Sequence, residues 1–561
     1  MIRKIIPMVA IAALAGLTAC ENQLVVTNPN AGETKRVLGT PNDAEAMIGT
    51  YWKRWMSGVY GSTTNLEGMA NIISFMNSSS LANNCQNART PFTGASNVNA
   101  PGNVCSGEQQ RLYFYDNEVN RVAASFLGQM ANGLTLGTPA RDGRVKAWSY
   151  YLSGLAVGYT ALMYDSTSVV SVGQAAEDAG KMIGYKDAAD SAYAFLQKAI
   201  DAAAATPAGS DGFPIPAAWL PSPTSYTSAE FVRLVRSYRA RLRAYMARTP
   251  AERAAADWGA IMADVDGGIT SDQVITTSTT AGPSISWRQQ YEAYQNWHQM
   301  PPFFIGMADV SGSYAAWIGT PVGNRGAGNS GFFMVTPDLR FPQGNTRADQ
   351  QADFTIKSCE AASTPCKRYF VNRPQGGDDF SGPGFGTSNY DFVRYHSWNT
   401  KGDGTARNGN TVIMYKAEMD LLKAEGLYRK GDYAGAAALV NITRVKNGLP
   451  AIAAFDATSK VPGGANCVPK VPVAPYNVVD CGTLWDALKY EKRIETAYSS
   501  YSPWFFEGRG WGDMGEGQPT FWAVPFQELQ SRGYSIAQVY GAGPGIGNAP
   551  NSVSGKSAYG W

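Results

Sequence analysis

Apolar positions recur along most of this chain with the 3.6-residue period of an amphipathic helix, whereas strand-like alternation is scarce. Segments 42–57, 112–132, 143–165, 186–205, 227–247, 251–264, 413–430, 432–447 and 483–500 combine that period with helix-forming composition, which predicts a mainly α fold. Thr40-Pro41-Asn42-Asp43 supplies capping residues and an early acid for the first helix, as the helix dipole favours. Between 266 and 411 the periodicity gives way to Gly, Pro, Asn and aromatics, a long irregular stretch of the kind that is laid over a scaffold and carries function. No pure Ser/Gly or Pro linker marks its edges, so residues 20–265 and 266–561 are expected to be two parts of one interwoven domain.

Gly431-Asp432 separates segments 413–430 and 432–447, and small residues at Ala417, Ala424, Ala434, Ala437 and Ala438 let these two helices approach closely. A helix–turn–helix unit of this size resembles a tetratricopeptide repeat. The pair 143–165 and 186–205 has similar dimensions, with Ala188, Ala189, Ala192 and Ala199 at the contact face.

Residues 1–19, MIRKIIPMVAIAALAGLTA, begin with basic Arg3 and Lys4, continue as an apolar run from Ile5 to Leu17 and end in small residues. The run is shorter than the roughly 20 residues of a membrane span and reads as an export signal. Leu17-Thr18-Ala19-Cys20 resembles a bacterial lipobox; the competing reading is an ordinary signal peptide with a chance cysteine. The resemblance implies that Cys20 becomes the first mature residue and carries a diacylglycerol thioether, usually with an N-acyl chain. Two or three acyl chains are enough for stable membrane anchoring.

The formal charge of +2 belongs to that leader: without Arg3 and Lys4, 45 basic side chains face 45 acidic ones. A neutral chain with 16% charged residues has no electrostatic reach toward a polyanion, so no nucleic-acid partner is expected. Two histidines in 561 residues argue against His-rich metal sites and His-based acid/base catalysis. Of seven cysteines, Cys20 is accounted for by the lipobox. Cys85 and Cys105, Cys359 and Cys366, and Cys467 and Cys481 form three sequence-local pairs, expected as loop-bracing disulfides in an oxidising compartment. Locality alone favours this pairing among the fifteen possible; zinc is the rival reading, without a C-x-x-C or His partner.

Several motifs together resemble the SusD/RagB family of outer-membrane nutrient-binding lipoproteins. Leu24-Val25-Val26-Thr27-Asn28-Pro29 is similar to the family's opening "L-x-V-x-N-P", followed by Thr40-Pro41-Asn42-Asp43-Ala44-Glu45-Ala46 at the first helix. Residues 144–165, RVKAWSYYLSGLAVGYTALMYD, resemble its repeat helix, and residues 415–449, YKAEMDLLKAEGLYRKGDYAGAAALVNITRVKNGL, give the most specific match. Glu491-Lys492-Arg493-Ile494-Glu495, then Phe506-Glu507-Gly508-Arg509, Trp511 and Asp513, resemble the C-terminal motif, with an insertion around Ser499 to Phe505 and no Arg after Asp513. Trp522-Ala523-Val524-Pro525 resembles the closing segment.

The resemblance implies a SusD-like helical fold with tetratricopeptide-like helix pairs and long loops. It also implies a non-enzymatic role: a surface-facing, outer-membrane lid on a SusC-like TonB-dependent barrel that captures an oligosaccharide or similar nutrient. The residues agree, because Trp and Tyr faces stack on pyranose rings and amides bond sugar hydroxyls.

Within WRQQYEAYQNWH, Trp287, Tyr291, Tyr294 and His298 fall on one helical stripe with Trp297 beside it, either a ligand platform or a core face. Tyr314 and Trp317, between Gly-rich loops, are expected to be exposed ligand contacts. Asn71 and Asn77, with Asn83 and Asn84 in the stretch pinned by Cys85, are further candidates. Glu491 and Glu495, one turn apart, have the spacing of a glycosidase pair, but interleaved Lys492 and Arg493 make a salt-bridged structural helix the better reading. Asp378-Asp379 reads as a solvated turn before a calcium site. The run Arg233, Arg236, Arg239, Arg241, Arg243 and Arg248 reads as a solvated or ion-paired face. No G-x-S-x-G, P-loop, H-E-x-x-H or complete dinucleotide motif is present, so neither a cofactor nor a metal is expected. A lipid-anchored glycan hydrolase and a repeat scaffold for peptides are the alternatives to nutrient binding.

Overall fold

The computed structural model describes residues 40–60, 66–77, 99–102, 106–175, 178–209, 211–277, 300–321, 324–325, 332–355, 366–372, 388–394, 409–453, 456–499, 501–534 and 553–561. The described residues fall into two compact units, divided between Met47 and Ile48. In the first, Thr40 caps α1 (Pro41–Gly49) as its sequence predicts: its hydroxyl donates to Asp43 at 2.7 Å and accepts the Asp43 amide at 3.1 Å.

The second unit opens with α2 (Tyr51–Tyr60) and α3 (Leu66–Ile73), so segment 42–57 is two helices meeting at Thr50. Next come α4 (Gly107–Ala131) and α5 (Pro139–Met163), and an antiparallel ribbon, β1 (Ser166–Ser168) with β2 (Met182–Gly184), that returns the chain to α6 (Tyr185–Ala205). Helix α7 (Ser228–Tyr245) follows with a full capping box between Thr227 and Glu230. Segment 251–264 is also divided, into α8 (Pro250–Ala254) and α9 (Trp258–Asp266), because the Asp257 carboxylate accepts the Ala260 amide at 2.9 Å and starts a new helix.

The region read as irregular contains short elements: β3 (Gln273–Thr277), α10 (Pro302–Ile305), α11 (Ser313–Gly319), α12 (Arg347–Asp353), β4 (Phe370–Asn372), β5 (Tyr390–Phe392) and β6 (Gly409–Met414). Strand β3 pairs antiparallel with β6, Ile275 opposite Thr411, and β4 with β5, Val371 opposite Asp391. Strands this short show no readable alternation. Then come α13 (Lys416–Arg429), α14 (Tyr433–Lys446), the ribbon β7 (Lys470–Val473) and β8 (Val478–Cys481), α15 (Leu484–Thr496), α16 (Pro503–Trp511) and α17 (Phe526–Ser531).

Successive helices pack in a row: α4 on α5, α5 on α6, α6 on α7, α7 on α9, α9 on α13, and α13 on both α14 and α15. This nearest-neighbour order is that of a helical repeat stack. Glycines explain the closest crossings, since a Cβ at Gly154 would lie 2.6 Å from Leu196 of α6 and one at Gly158 2.6 Å from Leu242 of α7. The α13–α14 turn rests on Gly431 at φ +83°, after which Asp432 caps α14 by accepting the Gly435 amide at 2.8 Å.

Buried ion pairs fasten this row to the C-terminal helices. Arg241 of α7 holds Glu418 of α13 through bonds of 2.8 and 2.7 Å, and the Tyr245 hydroxyl donates to the same carboxylate at 2.9 Å. Arg253 of α8 grips Glu425 of α13 at 2.9 and 2.7 Å, with the Trp511 indole donating at 3.1 Å. Burial alone would raise the Glu425 carboxyl, but Arg253, Arg429 and Lys492 outweigh it and hold the group at about 2. Asp264 of α9 receives Arg239 at 2.8 and 2.6 Å and Arg243 at 2.6 Å, so the arginine run of α7 is largely ion-paired. The buried carboxyl end of α5 is closed by Arg248, which donates to Ala161 O at 3.0 Å, by Arg509, to Leu162 O at 3.0 Å, and by the Trp522 amide, to Met163 O at 2.7 Å.

The Cys467–Cys481 disulfide, with Cα atoms 5.8 Å apart, clasps the β7–β8 ribbon as locality predicts. Cys366 is disulfide-bonded. Cys20, Cys85, Cys105 and Cys359 lie outside the described residues.

Removing one partner of a buried pair leaves the other charge stranded, at a cost of about 3 to 5 kcal/mol. Arg241→Met is therefore expected to lower unfolding free energy in guanidinium by about that much, and adding Glu418→Leu should recover most of the loss.

Candidate ligand-binding site

Two of the sequence candidates converge on one aromatic cluster. After α3 the backbone turns sharply: Asn71 O accepts the amides of Met76 at 2.9 Å and Asn77 at 3.1 Å, and Phe75 adopts φ 62°. That left-handed residue points its ring inward, 4.2 Å from Phe303 of α10 and 6.0 Å from Trp561. On the other side Phe303 meets Trp317 of α11 edge-on at 4.9 Å. Phe304 packs on Trp504 at 5.5 Å and Trp561 at 5.6 Å, and the Arg493 guanidinium lies 3.7 Å over its ring.

Within α11 the two candidates divide. Tyr314 is buried and its hydroxyl donates to Phe303 O at 2.5 Å, so the expectation that it is exposed fails: three positions earlier on a two-turn helix, it faces the core. Trp317 is half-buried at the edge of the cluster, stacked on Tyr314 at 6.0 Å, with the Arg325 guanidinium 4.5 Å over its ring. Asn71 and Asn77 sit beneath the surface, 0% and 2% exposed, because Phe75 draws their turn inward. Neither amide atom of Asn71 has a hydrogen-bond partner, while Asn77 Oδ1 accepts the Tyr498 hydroxyl at 3.3 Å. Trp287, Tyr291, Tyr294, Trp297 and His298 lie outside the described residues, as do Asn83, Asn84, Asp378 and Asp379.

Sequence reasoning passed over Tyr498, which lies at the insertion in the C-terminal motif. The inserted turn ends α15 and starts α16 through two left-handed residues, Tyr498 at φ 54° and Ser502 at φ 45°. It carries the Tyr498 ring to 5.1 Å from Phe392 and its hydroxyl to Asn77. The local signal was the departure from the family spacing itself.

A third group anchors the cluster from below. Arg340 donates to Asp338 at 2.7 Å, to Glu491 at 2.8 Å and to Glu495 at 3.1 Å. The remaining oxygens are also taken, that of Glu491 by Arg340 at 3.1 Å and that of Glu495 by the Tyr369 hydroxyl at 3.0 Å, while Thr443 and Asn447 add bonds of 2.9 and 3.2 Å to the oxygens already held. Burial pushes the Glu491 carboxyl up, partly countered by Arg340. Buried carboxylates with every oxygen engaged hold a structure together, as the interleaved basic residues predict.

Neither a protein-family model nor a curated protein matches the sequence. Solved structures do match. A SusD superfamily protein from Bacteroides vulgatus is 12% identical, with a TM-score of 0.52, over 88% of this chain and 97% of that one. One from Parabacteroides distasonis is 9% identical, with a TM-score of 0.52, over 88% and 98%. A laminarin-binding SusD-like protein is 14% identical, with a TM-score of 0.46, over 88% and 98%. This chain has the SusD-like fold, mainly α with short strands.

The different depths of the two α11 aromatics predict different costs. Tyr314→Ala is expected to lower unfolding free energy by about 3 to 5 kcal/mol and Trp317→Ala by less than half as much, measured by denaturant titration.

Proposed function

We propose that this chain is a lipid-anchored, surface-facing outer-membrane protein that binds a nutrient, a neutral oligosaccharide, and acts as the capture lid of a SusC-like TonB-dependent barrel. The observation that carries the reading is the SusD-like fold spanning nearly the whole of the solved SusD superfamily chains. Fold alone does not fix function, so the reading also leans on this chain's own residues. The lipobox at Cys20 supplies the anchor, and no helix among the described residues is long and apolar enough to cross a membrane. Trp317 offers a half-buried indole face at the edge of a rigid cluster, which suits stacking on the apolar face of a sugar ring. Trp287, Tyr291, Tyr294 and Trp297, outside the described residues, are the further aromatic ligand contacts of this proposal. Asn71 and Asn77 would shape the Trp317 edge from beneath. The parts 20–265 and 266–561 would then act as one interwoven domain, because the row of helices passes from α4–α9 into α13–α15.

Two measurements test the reading. Detergent extraction of native membranes is expected to co-purify a large β-barrel with the acylated chain, and Cys20→Ser should leave the chain soluble. Titrating purified protein with oligosaccharides should change tryptophan fluorescence without releasing cleavage products, and Trp317→Ala should weaken binding at least tenfold. Cleavage by the protein alone would establish the hydrolase alternative. Isolation without a barrel, together with unchanged affinity in Trp317→Ala, would remove the lid and the site.

A further inference from the structure

Where α6 begins and α7 ends, a cavity of about 560 Å³ opens to solvent. Small-molecule sites run from roughly 300 to 1,000 Å³, so it has room for a ligand. One wall is a single face of α6, with Lys186, Asp190 and Tyr193 at i, i+4 and i+7. Met246 and Ala247, just past α7, give an apolar floor, and Ala255 to Asp257, between α8 and α9, form a second wall.

The polar groups along this groove are open to a ligand. Arg243 spends one guanidinium nitrogen on Asp264 at 2.6 Å and lies 5.4 Å over the Tyr193 ring. Asp264 also takes Arg239 at 2.6 Å and Arg236 at 3.8 Å, so three guanidiniums share one carboxylate and Arg243 is not fully neutralised. Its side chain is 25% exposed. Among the described residues, neither its other nitrogens nor the Tyr193 hydroxyl has a hydrogen-bond partner, and none of these atoms is sealed from solvent. Burial raises the Tyr193 hydroxyl, Arg243 opposes the rise and Asp190 adds to it, so the group stays a proton donor. Asp190 is exposed and has no partner among the described residues. Arg243 and Asp190 thus flank one hydroxyl without pairing with each other. Asp257 uses Oδ1 to accept the Ala260 amide at 2.9 Å, which leaves its other oxygen free.

These groups discriminate among ligand classes. A phosphate or sulfate would meet the carboxylates of Asp190, Glu252 and Asp257. A sugar would find a guanidinium already over each tyrosine ring of the groove, Arg243 on Tyr193 and Arg248 at 3.5 Å on Tyr185. A cation and an anion held close together but unpaired match a molecule that carries both charges a few bonds apart. We propose that this groove binds a free α-amino acid or dipeptide by its charged ends, the carboxylate on Arg243 and Tyr193 and the ammonium on Asp190 and Asp257. Its side chain lies on Met246 and Ala247. The site is separate from the Trp317 edge and does not depend on the glycan reading.

The test is isothermal titration calorimetry on the full chain with alanine, leucine, methionine, Ala-Ala and Leu-Leu as probes, each also as its N-acetyl and C-amide derivative. At least one free-ended probe should bind, and blocking either end should weaken it at least tenfold. Asp190→Asn should weaken the free-ended probe at least tenfold and remove most of its advantage over the N-acetyl form; this exposed residue has no partner to lose among the described residues, so the variant folds. Ala255→Trp fills the groove from an exposed position and should abolish binding. The proposal is overturned if no free-ended probe binds, if blocked probes bind as tightly as free ones, or if Asp190→Asn and Ala255→Trp bind as tightly as the unchanged chain.

Discussion

A guanidinium and a carboxylate buried together cannot be separated without leaving two charges in a low-dielectric interior, and the rest of this structure depends on that constraint. Glu418 and Glu425 lie two turns apart on α13, and each is held by an arginine from another helix, Arg241 of α7 and Arg253 of α8. Apolar faces alone would let helices slide by a turn at modest cost. Paired charges 172 and 177 residues apart in sequence fix the register, because any slip breaks bidentate bonds at both sites.

The same constraint reaches the candidate binding surface. Helix α15 faces two ways: Glu491 and Glu495 hold Arg340 from the loop region, while Lys489 and Arg493 hold Asp513 at 3.0 and 2.5 Å. Arg493 also covers Phe304, and the Asp513 carbonyl accepts the Trp561 indole at 3.1 Å. The aromatic cluster under Trp317 is thus built on an ion-paired helix, not on the loops that surround it in sequence. A stacking surface needs such support, since a ring held loosely loses more freedom on binding.

Much of this was legible in the sequence, for local reasons. Helical periodicity, the Thr40 cap, the Gly431-Asp432 break and the Cys467–Cys481 pair are encoded within a few residues; the cap, the break and the pair are found where they were read, while segments 42–57 and 251–264 each divide into two helices. The arginine run and the Glu491–Glu495 helix announced ion pairing through composition, but not their partners, because Asp264, Glu418 and Arg340 come from separate elements. Burial was legible only as a pattern. In α11, Tyr314 and Trp317 look alike in sequence, and the structure turns one inward and leaves the other at the edge. Asn71 and Asn77 read as surface amides until Phe75 is seen to pull their turn under the cluster. Tyr498 and Tyr193 carried no motif, the first placed by an insertion and the second by the packing of α6 against α7.

Native-state hydrogen exchange along a denaturant series tests the central claim, that buried ion pairs make the helical row and the C-terminal helices one cooperative scaffold. The account predicts that core amides of α7, α13 and α15 exchange through the same global opening, with one free energy and one denaturant dependence. Exchange of α7 through a smaller, separate opening while α13 and α15 remain protected would contradict it.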